Sequence, residues 1–227
     1  MDKDSFEREI AKLVEEFRLD RHPYILSVYQ GKASREQLRG YPIQHYEMTV
    51  RDAAYFAAEG YLQMRQLDAE TAEDRARNFA EEALGVYSHS ASHLELLFEL
   101  WEGGLGLPRK ELIEARTSDA ARILNALILR LKRLKPTFMG ASGLLEEMEV
   151  EAYRMMGEGL AQHYHIDPRY LRFFSVHHEA DKDHGKAGHA MIQRFVLGSG
   201  REAEFLSEAR LIMGAFWRGF ESMSEVG

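Results

Sequence analysis

Apolar residues recur at steps of three and four along nearly the whole chain, and this spacing constrains the fold most. Phe6, Ile10 and Leu13 form one such stripe, and residues 119–134 are apolar on one face and basic on the other. No stretch alternates apolar and polar residues long enough to predict a strand. We therefore predict an all-α fold, with residues 1–227 forming one domain that is a bundle of seven or more helices.

Prolines, glycines and capping residues divide this pattern into separate helices. A helical segment begins after Ser34 and runs to about residue 66, and Pro42 inside it predicts a late start or a kink. Gly85 interrupts a later helical segment. We expect the candidate site residues to lie on the helices predicted at residues 71–84, 88–101 and 143–164, and on the segment from 167 to about 197.

The composition excludes several classes of protein. The chain has no cysteine, which excludes disulfides, zinc–thiolate sites and a cysteine nucleophile. A net charge of -8 disfavours binding to a phosphate backbone, so we expect no nucleic-acid partner. No run approaches the ~18 apolar residues of a membrane span, and the charged start MDKDSFEREIAKL lacks the apolar centre of a signal peptide. We therefore expect a cytoplasmic protein with no membrane partner.

The strongest chemical signal is FFSVHHEADKDHGKAGH, which covers residues 173–189. Because each residue of a helix advances about 100°, His177, Asp181 and His184 lie on one face at i, i+4 and i+7. His178 points about 100° away from them. Two imidazoles and a carboxylate on one stripe suit iron or manganese better than magnesium or calcium. Taken alone, the pattern fits a solvated charged face equally well.

Further ligands are offered by NFAEEALGVYSHSASH, the segment that ends at residue 93. On an unbroken helix Glu82, His89 and His93 would share a face, but Glu82 and His89 would be about 10 Å apart along the axis. A compact site therefore requires the helix to open near Gly85. His89 and His93 are four residues apart, so either can be the ligand, with the other supporting it.

A third segment, SGLLEEMEVEAYRMMGEGL, contains four glutamates, and the periodicity does not decide which of them faces inward. These are Glu146, Glu147, Glu149 and Glu151. Motifs of other enzymes are absent. No histidine has a glutamate three residues before it, as ferritin-like di-iron sites require. The sequence also has no His-Glu-x-x-His motif, no Gly-x-Ser-x-Gly elbow, no P-loop and no Gly-x-Gly-x-x-Gly motif.

Four segments in this order resemble those of a known superfamily over most of the chain. They are RHPYILSVYQGKASREQLRGYPIQHY, NFAEE followed by HLELLFELWEGGLGL, LLEEMEVEAYRMMGEGLAQHY, and YLRFFSVHHEADKDH. Together they resemble the heme-oxygenase-like superfamily. The resemblance is greatest to its di-iron oxidase and oxygenase branch, whose relatives include pyrroloquinoline quinone synthase and the chlamydial protein associating with death domains. The resemblance implies a heme-oxygenase-like helical bundle.

The resemblance also implies a function and a set of metal ligands. The implied ligands are Glu82, His93, Glu146, His177, Asp181 and His184, with His89 as the alternative to His93. They would hold two Fe(II) ions per chain, with manganese as the alternative metal and O2 as co-substrate. The implied activity is oxidation or oxygenation of a small molecule, amino-acid-like or fatty-acid-like, by N-oxygenation, C–C cleavage or desaturation.

Two other functions remain open at this stage. One is a cofactorless oxidase that resembles pyrroloquinoline quinone synthase, whose activity would survive chelation. The other is a metal-free interaction protein that kept the fold. Relatives that form para-aminobenzoate carry a lysine three residues before a Gly-Leu pair, where this chain has Met156. The sequence does not show the oligomeric state, and the base rate among oligomers favours a homodimer.

Overall fold

The computed structural model describes residues 2–225, and every regular element within them is helical. This confirms the predicted all-α fold. The α-helices are α1 (Lys3–Glu16), α2 (Pro23–Tyr29), α3 (Arg35–Met48), α4 (Ala53–Met64), α5 (Ala69–Leu84), α6 (His93–Glu99), α7 (Arg109–Ile113), α8 (Asp119–Leu134), α9 (Gly140–Tyr164), α10 (Arg172–Phe195) and α11 (Glu202–Met223). Over the described residues, none of these helices combines the length and apolar character that crossing a bilayer demands.

The apolar stripes of the sequence face the interior. Phe6, Ile10 and Leu13 of α1 are buried, and so are Leu124 and Ile128 on the apolar face of α8. These side chains belong to one cluster that also includes aromatic rings from α3, α6, α10 and α11. Removal of this apolar surface from water is the main force that holds the helices together.

The segment 34–66 divides at a different place from the one that its proline predicts. Ser34 accepts a hydrogen bond from the backbone N–H of Gln37, whose side chain accepts one from Ser34 N, so that α3 begins at a capping box. Pro42 lies inside α3 without ending it. The break comes at residues 49–52, where a single tight turn separates α3 from α4. The prediction of a late start at Pro42 is therefore wrong.

The predicted helix 88–101 begins later than expected. Gly85 has a left-handed φ of 61° and ends α5, and α6 begins only after Ser92, whose side chain accepts a hydrogen bond from the N–H of Glu95. The Glu81 carboxylate accepts hydrogen bonds from the N–H groups of Tyr87 and Ser88 at 2.7 and 3.1 Å. These contacts stabilise residues 85–92 as a loop, which brings α6 back toward α5.

Helices α9 and α10 are antiparallel and approach closely through glycines. An added Cβ at Gly143 would lie 2.6 Å from the Cα of Gly188, and one at Gly140 would lie 2.6 Å from the carbonyl oxygen of Gly188. Both distances are shorter than any normal contact, so only glycine permits this spacing. The close approach sets the distance between the glutamates of α9 and the His177–Asp181–His184 face of α10.

His22 is a buried histidine with a structural role. Its Nδ1 accepts a hydrogen bond from the N–H of Tyr24 at the start of α2, and its ring packs edge-on against Trp217 at a centroid distance of 4.5 Å. Burial lowers the pKa of His22 to about 4. The ring is therefore neutral in the folded protein at neutral pH, whereas in the unfolded chain it has an ordinary pKa near 6.5.

This pKa difference predicts a loss of stability in acid. Between pH 6.5 and about 4 the unfolded chain binds a proton that the folded protein does not, so the free energy of unfolding falls by up to about 1.4 kcal/mol per pH unit. We expect the stability difference between wild type and His22→Asn, which keeps a capping group, to shrink over this range in denaturant titrations. The exposed His165→Asn is the control. A difference that does not change with pH would contradict the assignment.

Candidate metal centre

Five of the six residues that the resemblance singled out line one internal cavity. The cavity has a volume of about 90 Å³, and Glu82, His93, Glu146, His177 and Asp181 all line it. The sixth, His184, lies at the inner side of a larger surface groove of about 750 Å³ between α5 and α10. Asn78 lines both spaces, and its Nδ2 is 3.4 Å from His184 Nε2.

His93 lies between two carboxylates of α5. Its Nε2 is 3.3 Å from Glu81 Oε1, and its Nδ1 is 2.8 Å from Glu82 Oε2. Although burial opposes it, the negative charge of Glu82 and the hydrogen bond to Glu81 raise the pKa of His93 to about 10. Burial alone would raise the pKa of Glu82, but the His93 charge lowers it to about 2. Glu81 therefore fixes one ring nitrogen of His93 and leaves the other beside Glu82.

His184 forms the second pairing of imidazole and carboxylates. Its Nδ1 is 3.4 Å from Asp181 Oδ1 and 3.8 Å from Glu146 Oε2. Burial opposes protonation, but the charges of Glu146 and Asp181 raise the pKa of His184 to about 9. Burial, together with the charge of Glu146, raises the pKa of Asp181 to about 7. Asn78 lies beside Nε2, and Nδ1 is the nitrogen of His184 that faces the carboxylates.

His177 lies beside His93 on the cavity wall. Its Nδ1 donates a hydrogen bond to the carbonyl oxygen of Phe173 at 2.7 Å, which leaves Nε2 as its unprotonated nitrogen. The rings of His177 and His93 are 4.3 Å apart between centroids. Burial, and after it the positive charge of His93, lowers the pKa of His177 well below its usual value. His177 is thus a neutral imidazole with a free nitrogen.

The structure separates these residues from two neighbouring histidines. His178 turns toward α9, where its Nδ1 hydrogen-bonds the carbonyl oxygen of Val150 at 2.8 Å. His89 is exposed, has a left-handed φ of 51° and lies in the 85–92 loop. Of the two alternatives that spacing left open, the fold therefore brings His93 to the cavity and His89 to the surface.

A buried polar network beside the cavity was not predicted. Tyr153 donates a hydrogen bond to Glu149 Oε1 at 2.8 Å, and its hydroxyl is 3.3 Å from His45 Nε2. Burial, and after it the charge of Asp181, raises the pKa of Glu149 well above its usual value. Glu149 and Glu146 both line the cavity, so α9 presents two carboxylates where the sequence argument chose one. The three-residue spacing of the two glutamates could have indicated this.

The donor atoms fit a metal in chemistry but are paired with one another. Within residues 2–225 no three His, Asp or Glu side chains converge closely enough to hold a cation as they are oriented. One donor atom of the set, Oδ2 of Asp181, is nevertheless buried without a hydrogen-bond partner. Buried polar atoms are normally satisfied, and unsatisfied ones indicate a functional role. The imidazole nitrogens and carboxylate oxygens of this set suit iron or manganese.

Comparison with known proteins identifies the family to which the chain belongs. Residues 39–217 match the family of iron-containing redox enzymes, and the chain belongs to that family. The 4-aminobenzoate synthase of Nitrosomonas europaea is 25% identical over 234 residues, which cover 99% of this chain and 93% of the relative. That of Chlamydia pneumoniae is 24% identical over 219 residues, with 94% and 92% covered.

The solved structures agree on the architecture. A domain from Shewanella denitrificans with a heme oxygenase-like fold superposes with a TM-score of 0.77 at 16% identity, over 99% of this chain and 93% of that one. The predicted heme-oxygenase-like bundle is therefore confirmed. Membership of an iron-containing family indicates iron as the metal.

Glu81 gives a test of how His93 is oriented. We expect Glu81→Gln to weaken Fe(II) binding by about 10- to 100-fold, because carboxylates that hold a ligating imidazole typically contribute that much. Glu73→Gln, an exposed glutamate of the same helix paired with Arg77, is the matched control. Anaerobic Fe(II) titration would measure both variants. Equal iron affinity in the two would mean that Glu81 serves only the 85–92 loop.

Proposed function

We propose that this protein is an O2-activating di-iron oxidase or oxygenase that acts on a small molecule. The observation that carries the proposal is an arrangement shared by two of the histidines. Each of His93 and His177 has one ring nitrogen beside an acceptor outside the ligand set, the Glu81 carboxylate or the Phe173 carbonyl oxygen, which leaves the other nitrogen for the cavity. Metal-binding histidines are characteristically held in this way.

The charges at the site support a cation. Glu82, Glu146, Glu149 and Asp181 line one small cavity, and crowding of buried carboxylates costs stability unless a cation balances their charge. A pair of divalent ions would neutralise this charge and displace the protons of His93 and His184. The proposed ligands are Glu82, His93, Glu146, His177, Asp181 and His184, with Fe(II) as the metal.

The remaining side chains limit what can enter the site. Phe56, Tyr153 and Phe216 line the cavity and are buried. Such walls exclude bulk water and favour an apolar substrate part. When bound, two ferrous ions would supply the electrons for reduction of O2. The protein would orient the substrate and protect the reacting atoms from water.

The experiment is direct. The purified protein is loaded anaerobically with Fe(II), the iron content is measured, and O2 is then admitted while absorption is recorded. We expect about two iron ions per chain and a transient absorption change, and we expect chelation to abolish O2 uptake. Fewer than one iron per chain with no optical change would refute the proposal, and O2-dependent activity that survives chelation would favour the cofactorless alternative.

A second candidate follows from the two relatives, which are both named 4-aminobenzoate synthase and align with almost the whole chain. Formation of 4-aminobenzoate is thus the candidate reaction to test first. The chain has Met156 at the position where those relatives are expected to carry a lysine. Mass spectrometry of the protein after exposure to iron, reductant and O2 would detect 4-aminobenzoate, and its absence would leave the oxygenase proposal with another substrate.

A further inference from the structure

Two buried cations beside the cavity have no role in the proposed metal site. Lys132 of α8 is 5% exposed and lines the cavity, and Arg75 of α5 is 8% exposed and lines the outer groove. Lysine and arginine are almost never buried to this degree without a partner. Burial, and after it the positive charge of Arg75, lowers the pKa of Lys132 to about 8. Asn78, three residues after Arg75 on α5, lines both spaces, so the two cations border a cavity and a groove that adjoin each other.

Neither cation is paired with a carboxylate. Among residues 2–225 no carboxylate lies within ion-pair distance of Lys132 or Arg75, and Arg75 Nε is buried without a hydrogen-bond partner. Glu59, the buried glutamate of α4, is instead bound to Arg133 and Gln63. Two adjacent buried cations repel each other, so this arrangement costs stability unless an anion joins them.

The backbone is arranged to admit the arginine. Gly60 of α4 faces Arg75, and an added Cβ there would lie 3.4 Å from Arg75 Cδ and 3.1 Å from Met139 Sδ. The absence of a side chain at Gly60 gives the stem of Arg75 room to lie inside the protein. The guanidinium is thus held at the inner part of the groove, on the same helix as Asn78, which lines both the groove and the cavity.

Bound metal ions would add positive charge to this region, and a further anion would be needed to balance it. The charges of Glu82 and Glu146 raise the pKa of Lys132 and partly balance it. Two divalent ions carry four positive charges, which the three proposed carboxylate ligands together with Glu149 can at most balance. Lys132 and Arg75 would then add two uncompensated charges to a buried region. An anionic substrate group is the simplest source of balance.

We propose that Arg75 and Lys132 form an oxyanion-binding subsite, which holds the anionic group of the substrate where the outer groove meets the metal cavity. The proposal rests on the proposed function, because it assigns the substrate-binding end of that same site. Arginine offers a planar fork of donors and lysine a point charge, a combination that suits a carboxylate or a phosphate. The rest of the substrate would extend into the cavity toward the apolar walls.

The test measures binding, without turnover. Protein loaded anaerobically with Fe(II) is titrated calorimetrically with benzoate, octanoate, inorganic phosphate and the uncharged benzamide. We expect an anion to bind and benzamide not to bind. Lys132→Met and Arg75→Met should each weaken the binding of that anion by about 10- to 100-fold, the usual worth of a charge-assisted hydrogen bond. Arg130→Gln, an exposed arginine of α8 paired with Glu208, is the control for loss of charge on the same helix.

Separate readouts distinguish the two proposals. Iron content and thermal unfolding are measured for every variant, and anion affinities are compared at matched iron content. A preference for phosphate over the carboxylates would support the subsite and identify a phosphate-bearing substrate. Anion binding that is absent, or equal in wild type and both Met variants, would overturn the subsite even if iron loads fully. Failure of wild type to load iron would instead count against the di-iron proposal.

Discussion

Replacement of His177 by alanine is expected to remove iron binding while the protein stays folded. His177 is the neutral histidine of the site, its Nδ1 is committed to Phe173, and its Nε2 has no other use in the fold. We expect Fe(II) affinity to fall by more than about a hundredfold. This exceeds the loss that is typical when a residue that only supports a ligand is replaced. Anaerobic titration with measurement of iron per chain would show this.

The adjacent histidine provides a matched control. His178→Ala removes the same group one residue later on the same helix, but that side chain faces Val150 of α9 and not the cavity. We expect normal iron loading and a modest loss of stability, about 1 kcal/mol for the lost hydrogen bond. Equal iron loss in the two variants would mean that the effect comes from α10 as a whole, and not from a ligand.

Gly143→Ala is expected to damage both stability and the site. The new Cβ would lie 2.6 Å from Gly188 Cα and 3.1 Å from the carbonyl oxygen of His184, so α10 must move away from α9. We expect the free energy of unfolding to fall by about 1–3 kcal/mol, the usual cost of overpacking. Because His184 moves with α10, iron affinity should fall as well. Denaturant titration and iron titration would measure the two effects.

Gly157→Ala is the control on the same helix. Its Cβ would meet only the Cβ of Phe174, at 3.4 Å, which is close to ordinary van der Waals contact. Alanine favours helix over glycine by up to about 1 kcal/mol, so we expect unchanged or slightly higher stability and normal iron loading. If Gly143→Ala were as stable as Gly157→Ala, the close contact between α9 and α10 would not limit the spacing of the site.

Local patterns in the sequence predicted most of the fold and one face of the candidate site. Periodicity predicted the stripes of α1 and α8, and the i, i+4, i+7 spacing predicted that His177, Asp181 and His184 lie on one face of α10. These features depend only on the geometry of a helix. The single-domain boundaries 1–227, the cytoplasmic location, the small-molecule substrate and the homodimer stay predictions.

Features that depend on contacts between distant segments could not be predicted. The choice between His89 and His93 depends on the 85–92 loop, which Glu81 stabilises through the N–H groups of Tyr87 and Ser88. Glu81 is buried by a loop that follows it in the sequence, so its burial is not reflected in the helical spacing of apolar residues. The burial of Arg75 and Lys132 likewise results from the packing of α4, α5 and α8. On a helix surface each of them would look like an ordinary solvated cation.

The most direct test of the di-iron centre is anomalous diffraction at the iron edge from crystals soaked anaerobically with Fe(II). We predict two peaks in the cavity and on its His184 side, with Glu82, His93, Glu146, His177, Asp181 and His184 around them. The same crystals of His177→Ala should lose at least one peak. No peak in the cavity at saturating Fe(II), or iron bound only at the surface, would contradict the account.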